Sequence, residues 1–182
     1  MNKQSGLRAV VTLLLITVVM AGLLAAVNSI TEKPIAQYQA EKTQQALAGV
    51  LADGVTLGQA LDAFPDETGL ITGVYATSDG YVMLVTTAGY GGDIDMAVGV
   101  SSTGSVTGVE LISHSETSNL GANAERPEFR EQFVGLTEPA AVTKDGGTIE
   151  ALTGATVTSR AITRGVNAAL ACAAALEGGS GA

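Results

Sequence analysis

Residues that commonly staple a fold or hold a metal are scarce in this chain. Its 182 residues include one cysteine, Cys172, and one histidine, His114. A single cysteine excludes an intrachain disulfide, a CxxC redox pair and a cysteine-held iron–sulfur cluster built by this chain. Its distance from the N-terminus also excludes a lipid-modified cysteine behind a signal sequence. Between Ala171 and Ala173 in a helical pattern, Cys172 reads as a small buried hydrophobe. Without a companion, His114 gives a zinc or haem site little to stand on. Positive charge is scarce too: nine Lys and Arg against eighteen Asp and Glu, a net charge of −9. Two of the nine, Lys3 and Arg8, precede the one long apolar run, which leaves seven against eighteen, or −11, on the remainder. Nucleic acid and anionic lipid surfaces are poor partners for such a chain. No internal repeat is present.

The apolar run extends from Ala9 to Val27, broken by Thr12, Thr17 and Gly22. It is long enough to span a bilayer. A cleaved signal peptide is the competing reading, since Lys3, Arg8 and the small pair Ala25-Ala26 suit one, but the run exceeds a typical h-region and favours the anchor. With both basic residues ahead of the span, the N-terminus is expected in the cytoplasm and everything after Ser29 outside it. Thr31-Glu32-Lys33-Pro34 predicts a break in the helix, because the residue before a proline avoids the α region. A juxtamembrane helix should follow, with Ile35, Tyr38, Leu47, Val50 and Leu51 loosely on one face. Residues 52–69 read as connecting structure, with a short helix from Leu57 to Phe64.

From Leu70 the hydrophobic period becomes two, between turn signals. Four strands are predicted, 71–77, 81–87, 94–100 and 106–113, the first two joined by Ser78-Asp79-Gly80, an Asp-Gly hairpin signal. Sequential neighbours should pair in an antiparallel meander. Pro127 to Phe133 suggests a short helix, with Phe129 and Phe133 at i,i+4. Residues 148–152 suggest one more strand. A last helix from Ser159 carries an apolar stripe of Ile162, Val166, Ala169, Ala173 and Leu176 and packs on the sheet. The expected fold class is α+β: a single N-terminal transmembrane helix, then one extracytoplasmic domain with an antiparallel sheet packed by helices. The expected divisions are 1–30, N-terminus and anchor; 31–69, juxtamembrane helix and connection; 70–177, a ligand-binding domain; and 178–182, a tail.

Three turns collect glycines and hydroxyls: Tyr90-Gly91-Gly92, Glu116 to Gly121, and Thr153-Gly154-Ala155-Thr156. Glycine lets a ligand approach the backbone, and a helix start offers free N–H groups to a phosphate. Each turn also has a plain explanation: a hairpin loop, a solvated connection and a helix cap. A serine hydrolase is a poor fit, because His114 shows no orienting carboxylate in the sequence. Asp93 and Asp95 are explained by an exposed strand edge as well as by a metal. Arg160 and Arg164, one turn apart beyond the last motif, are candidates for a bound phosphate or for ordinary surface solvation.

Taken together these motifs resemble the RnfG family of the Rnf electron-transport complex and its relative, the NqrC family of the sodium-pumping NADH:quinone reductase, both of which carry an FMN-binding domain. The resemblance spans essentially the whole chain: one anchor, Gly89-Tyr90-Gly91-Gly92 before a strand, His114-Ser115-Glu116-Thr117 leading to Leu120-Gly121, and Thr153-Gly154-Ala155-Thr156 before the final helix. It implies that residues 70–177 bind FMN, joined to Thr156 through a phosphoester that a flavin transferase installs from FAD. Thr153, Gly154 and Ala155 would complete the recognition sequence, with Thr158 or Ser159 capping the helix. Glu116, Thr117, Leu120 and Gly121 would form the flavin-side loop. Two departures stand out: Glu150 replaces the family's aspartate six positions before the acceptor, and Ser118-Asn119 replaces its Pro-Gly. Asn119 suits the left-handed conformation such a loop needs. The resemblance further implies a redox protein without a substrate of its own, relaying electrons in a cell-membrane complex that exchanges them between ferredoxin and NAD and moves ions. Its partners would be the other membrane subunits. An NqrC-type component of a sodium-pumping quinone reductase, and an anchored module without a cofactor, are the alternatives.

Overall fold

The computed structural model describes residues 3–179. They fall into two compact units that divide after Glu41. Helix α1, Lys3–Gly49, supplies all of the first unit and, from Lys42, the opening turns of the second.

In the first unit the apolar residues face outward on every side: Val10 is 62% exposed, Leu13 67% and Leu24 67%. A helix apolar all round and exposed to this degree suits lipid rather than water. Its hydroxyls are internally satisfied, Thr12 donating to the Arg8 carbonyl and Thr17 to the Leu13 carbonyl, each at 2.9 Å. The predicted break at Pro34 does not occur, and the helix runs through it. A mid-helix proline forfeits one i→i−4 bond and costs about 3 kcal/mol. Good helix formers on both sides, Ala36, Gln37, Ala40 and Glu41 among them, outweigh that local bias.

The second unit is built on a five-stranded antiparallel meander in the order β1 to β5: Leu57–Ala60, Ile71–Thr77, Gly80–Ala88, Asp93–Ser101 and Val106–His114. Thr77 pairs with Gly80 across the predicted Asp-Gly hairpin. Four strands were legible as alternating runs. The fifth, β1, corrects the helix expected from Leu57 to Phe64, because its backbone pairs with the free edge of β2. Leu-Gly-Gln-Ala, all exposed, carries no alternation to reveal this.

Both faces of the sheet are covered. On one, Met83, Val85, Met96 and Val98 meet Ala161, Ile162, Val166 and Ala169 of helix α3, Thr156–Gly179. On the other, Val82 and Ala97 meet Ala46, Leu47 and Val50 at the end of α1. Gly99 and Gly108 pair across β4 and β5 under Val50, where a Cβ on Gly108 would lie 3.0 Å from the Val50 Cα. The Thr107 hydroxyl donates to the Val50 carbonyl at 2.6 Å.

Helix α2, Pro127–Arg130, and the following 3₁₀ turn, Glu131–Phe133, match the predicted short helix, and the Phe129 and Phe133 rings meet edge-on at 5.5 Å. The strand expected over 148–152 is reduced to one parallel bridge, Val142 to Ile149. Side chains take its backbone donors instead: the Glu150 N–H donates to Gln132 Oε1 at 2.7 Å and the Leu152 N–H to Ser159 Oγ at 2.9 Å. Where a tail was expected from residue 178, α3 continues to Gly179, since extending a formed helix is easier than starting one. Residues 180–182 lie outside the described residues.

Candidate functional site

The site lies at the end of the sheet where the β3–β4 loop, the segment after β5 and the start of α3 converge. Glu116 joins all three. Its Oε1 accepts the Tyr90 N–H at 2.7 Å and the Gly91 N–H at 3.1 Å, and its Oε2 accepts the Thr158 hydroxyl at 2.6 Å. The residue is 8% exposed. Burial pushes its carboxyl up, but the Thr158 hydroxyl, the Gly91 and Tyr90 N–H groups and coulombic attraction to His114 outweigh this and hold it below the ordinary glutamate range. A Cβ at Gly89 would collide with Glu116 Oε1, and one at Gly121 with Glu116 Oε2 and, at 2.8 Å, with Thr158 Oγ1. These glycines therefore make room for the carboxylate.

The loop after Glu116 folds on itself, the Leu120 and Ala122 N–H groups donating to the Thr117 carbonyl at 3.1 and 3.2 Å. Asn119 adopts the left-handed conformation expected of it, at φ 61. Gly154, at φ 77, makes the turn into α3 with Leu120 Cδ2 beside it. The first bond of α3 runs from the Ser159 N–H to the Ala155 carbonyl at 3.0 Å, so the N–H groups of Thr156, Val157 and Thr158 precede the helical ladder.

Between these turns opens a cleft of about 530 Å³. Seven of the eight predicted site residues, Glu116, Thr117, Leu120, Gly121, Gly154, Ala155 and Thr156, line it. Thr153 lies on an adjoining cleft that shares Leu120. Tyr90, 74% exposed, and Val157 add an apolar rim.

The structure alters several roles. Neither Thr158 nor Ser159 caps the helix: the Thr158 hydroxyl is committed to Glu116, and the Ser159 hydroxyl donates back to the Ala155 carbonyl at 3.0 Å. Arg160 makes a two-pronged pair with Asp145, at 2.7 and 2.5 Å, and Arg164 donates to the Ala88 carbonyl at 3.1 Å, so neither touches Thr156. The cation that does is Lys144, whose Nζ donates to Thr156 Oγ1 at 2.8 Å. Sequence reasoning missed it, although a lysine in a domain so poor in positive charge was a usable signal.

His114 does have a carboxylate neighbour, Glu125 Oε1 at 3.2 Å from Nε2, which corrects the expectation. Its Nδ1 accepts the Glu116 N–H at 3.2 Å, so both ring nitrogens are engaged and no hydroxyl is offered a base. Asp95 accepts the Thr86 and Ser113 hydroxyls, each at 2.7 Å, as part of the sheet. Among the described residues no three His, Cys, Asp or Glu side chains gather to hold a metal. Cys172 is buried, as expected, and burial pushes its thiol up.

Residues 89–171 match the FMN-binding domain model, and residues 1–50 match the RnfG N-terminal region. The RnfG counterpart in the ion-translocating oxidoreductase complex of Methanosarcina acetivorans is 32% identical, over 94% of this chain and 96% of its own length. The chain belongs to the RnfG family. The corresponding protein of the proton-translocating ferredoxin:NAD(+) oxidoreductase complex of Clostridium ljungdahlii is 34% identical over 97% of this chain and 96% of its own. An RnfG protein from Pseudomonas aeruginosa is 36% identical over 93% and 89%. These full-length matches favour RnfG over NqrC. Among solved structures, the NqrC protein of the Na(+)-translocating NADH-quinone reductase from Parabacteroides distasonis superposes with a TM-score of 0.49 at 16% identity, covering 78% of this chain and 90% of that one. The matched FMN-binding domain begins at Gly89 and so takes in the three turns that form the cleft.

Proposed function

We propose that this RnfG-family chain is a membrane-anchored flavoprotein that bears FMN esterified to Thr156 and relays electrons within an Rnf-type complex. The carrying observation is the gathering of seven expected residues around one cleft, with the Thr156 hydroxyl at a helix start and a cation on it. An apolar rim of Tyr90, Leu120 and Val157 beside free N–H groups suits a ligand with a flat aromatic ring and an anionic tail. When bound, FMN would supply the electron-carrying ring, while this chain positions it and sets its surroundings. The attachment is a phosphoryl transfer: Thr156 Oγ1 bonds to the FMN phosphorus of FAD, the diphosphate P–O bond breaks, AMP leaves with the electron pair, and the hydroxyl proton passes to a base on the flavin transferase. Relatives are named as members of ferredoxin:NAD(+) oxidoreductase complexes that translocate protons or Na(+), and the other members of such a complex are the partners proposed here. Lys3 and Arg8 ahead of the apolar helix support an N-terminus in the cytoplasm and a domain outside it.

The test is flavin fluorescence retained through denaturing electrophoresis after co-expression with a flavin transferase. The wild-type chain should fluoresce, Thr156→Val should be dark, and Thr158→Val should keep its flavin because that hydroxyl is buried on Glu116. A dark wild type, or a fluorescent Thr156→Val, would sink the reading. A reporter fused after Ala182 should work only outside the cytoplasm, and activity inside would reverse the orientation.

A further inference from the structure

Four hydroxyls cluster where the chain enters α3: Thr153, Thr156, Thr158 and Ser159. Two are withdrawn from chemistry. Thr158 and Ser159 are fully buried, the first committed to Glu116 and the second bonded to the Leu152 N–H and the Ala155 carbonyl. Thr153 is exposed and lies on the adjoining cleft. Thr156, partly exposed on the main cleft, is the one held by an ammonium group.

The turn that carries this ammonium is braced from behind. Lys144 sits in the 3₁₀ turn Thr143–Asp145, which Gly146 closes at φ 84 and which the Thr143 N–H ties to the Ile149 carbonyl at 2.8 Å. The next residue, Asp145, is gripped by Arg160 through two hydrogen bonds, and Arg160 lies one helical turn beyond Thr156. The pair thus fastens the 143–145 turn to the first turns of α3 and pairs the carboxylate of the residue next to Lys144 in sequence. Arg160 lowers the Asp145 carboxyl chiefly through these hydrogen bonds, which keeps it ionised and available to the brace.

Resting on the proposal that Thr156 carries the phosphoester, we infer that Lys144 is the residue that selects Thr156 as the modified hydroxyl and offsets the negative charge of the phosphodiester formed there. The non-bridging oxygens of that ester are attached to the phosphorus that Oγ1 would bear, one atom beyond the atom Lys144 already touches. A compact ammonium with three donors and a flexible stem can keep Oγ1 and take up one of those oxygens. The need is electrostatic: the chain past its first eight residues carries seven basic and eighteen acidic side chains, and each phosphodiester adds one more negative charge. Asp145 and Arg160 are positioning residues that act through Lys144.

The experiment uses the full-length chain in detergent with purified flavin transferase and FAD, following covalent flavin by gel fluorescence and intact mass, with melting temperature measured on the unmodified proteins. Lys144→Gln should slow incorporation by on the order of tenfold, and Lys144→Arg should restore it to within about threefold of wild type, because the charge-assisted donor is kept. Asp145→Asn should fall between them. Melting temperatures of the Lys144 variants should match wild type, since that side chain is exposed. Wild-type incorporation in Lys144→Gln, or no recovery in Lys144→Arg, would overturn the inference while leaving the attachment site intact. Flavin on Thr156→Val would instead overturn the attachment site, and this inference with it.

Discussion

The clasp around Glu116 and the rim around Thr156 share the first turn of α3 but answer to different demands. Thr156 and Thr158 are two residues apart, which on a helix points them to different sides. Thr158 is fully buried, and its hydroxyl joins a carboxylate that also holds the β3–β4 loop. Thr156 stays partly open, in contact with one exposed lysine. The clasp turns its polar groups on the protein and gives the cleft its shape. The rim leaves them open to the cleft. Glu116 belongs to both: its carboxylate accepts the Tyr90 and Gly91 N–H groups and the Thr158 hydroxyl, and the residue also lines the cleft.

The contrast is breakable. Glu116→Ala should be the most damaging change, leaving the Thr158 hydroxyl and the Tyr90 and Gly91 N–H groups without their acceptor, and we expect a loss of about 3 kcal/mol in denaturant unfolding of the wild-type and variant chains. Thr158→Val removes one donor from the same carboxylate and should cost about 1–2 kcal/mol. Thr156→Val, on the rim, should change stability by no more than about 0.5 kcal/mol while abolishing covalent flavin. Equal destabilisation by the two threonine variants would erase the distinction. Acid sharpens it further. Because the folded Glu116 carboxyl sits below its ordinary value, its contribution is fully present above the ordinary glutamate range and is lost as pH falls through the folded value. Unfolding followed from neutral pH downward should show this loss in the wild type and a smaller one in Glu116→Gln.

Much of this architecture is written in local patterns. The runs 71–77, 81–87, 94–100 and 106–113 alternate, and Asp79-Gly80 marks the first hairpin, so four strands could be read to within a residue of their ends. Strand β1 could not, because Leu-Gly-Gln-Ala becomes a strand only through pairing with β2. Pro34 misled for the complementary reason: its local bias is real, but the helix around it is long and otherwise well formed. At the site, the cleft residues were legible as glycine- and hydroxyl-rich turns. Lys144 was not, because its contact with Thr156 depends on the 143–145 turn folding back onto α3.

By itself, then, the sequence determined an apolar helix of membrane-spanning length, an alternating meander and a hydroxyl-rich turn at a helix start, all of which depend on neighbours along the chain. The tertiary structure decided which carboxylate ties the loops together, which hydroxyls are buried, and which cation reaches Thr156. Those outcomes depend on side chains 12 to 42 residues apart meeting within hydrogen-bond distance, and no local period or propensity encodes such a meeting.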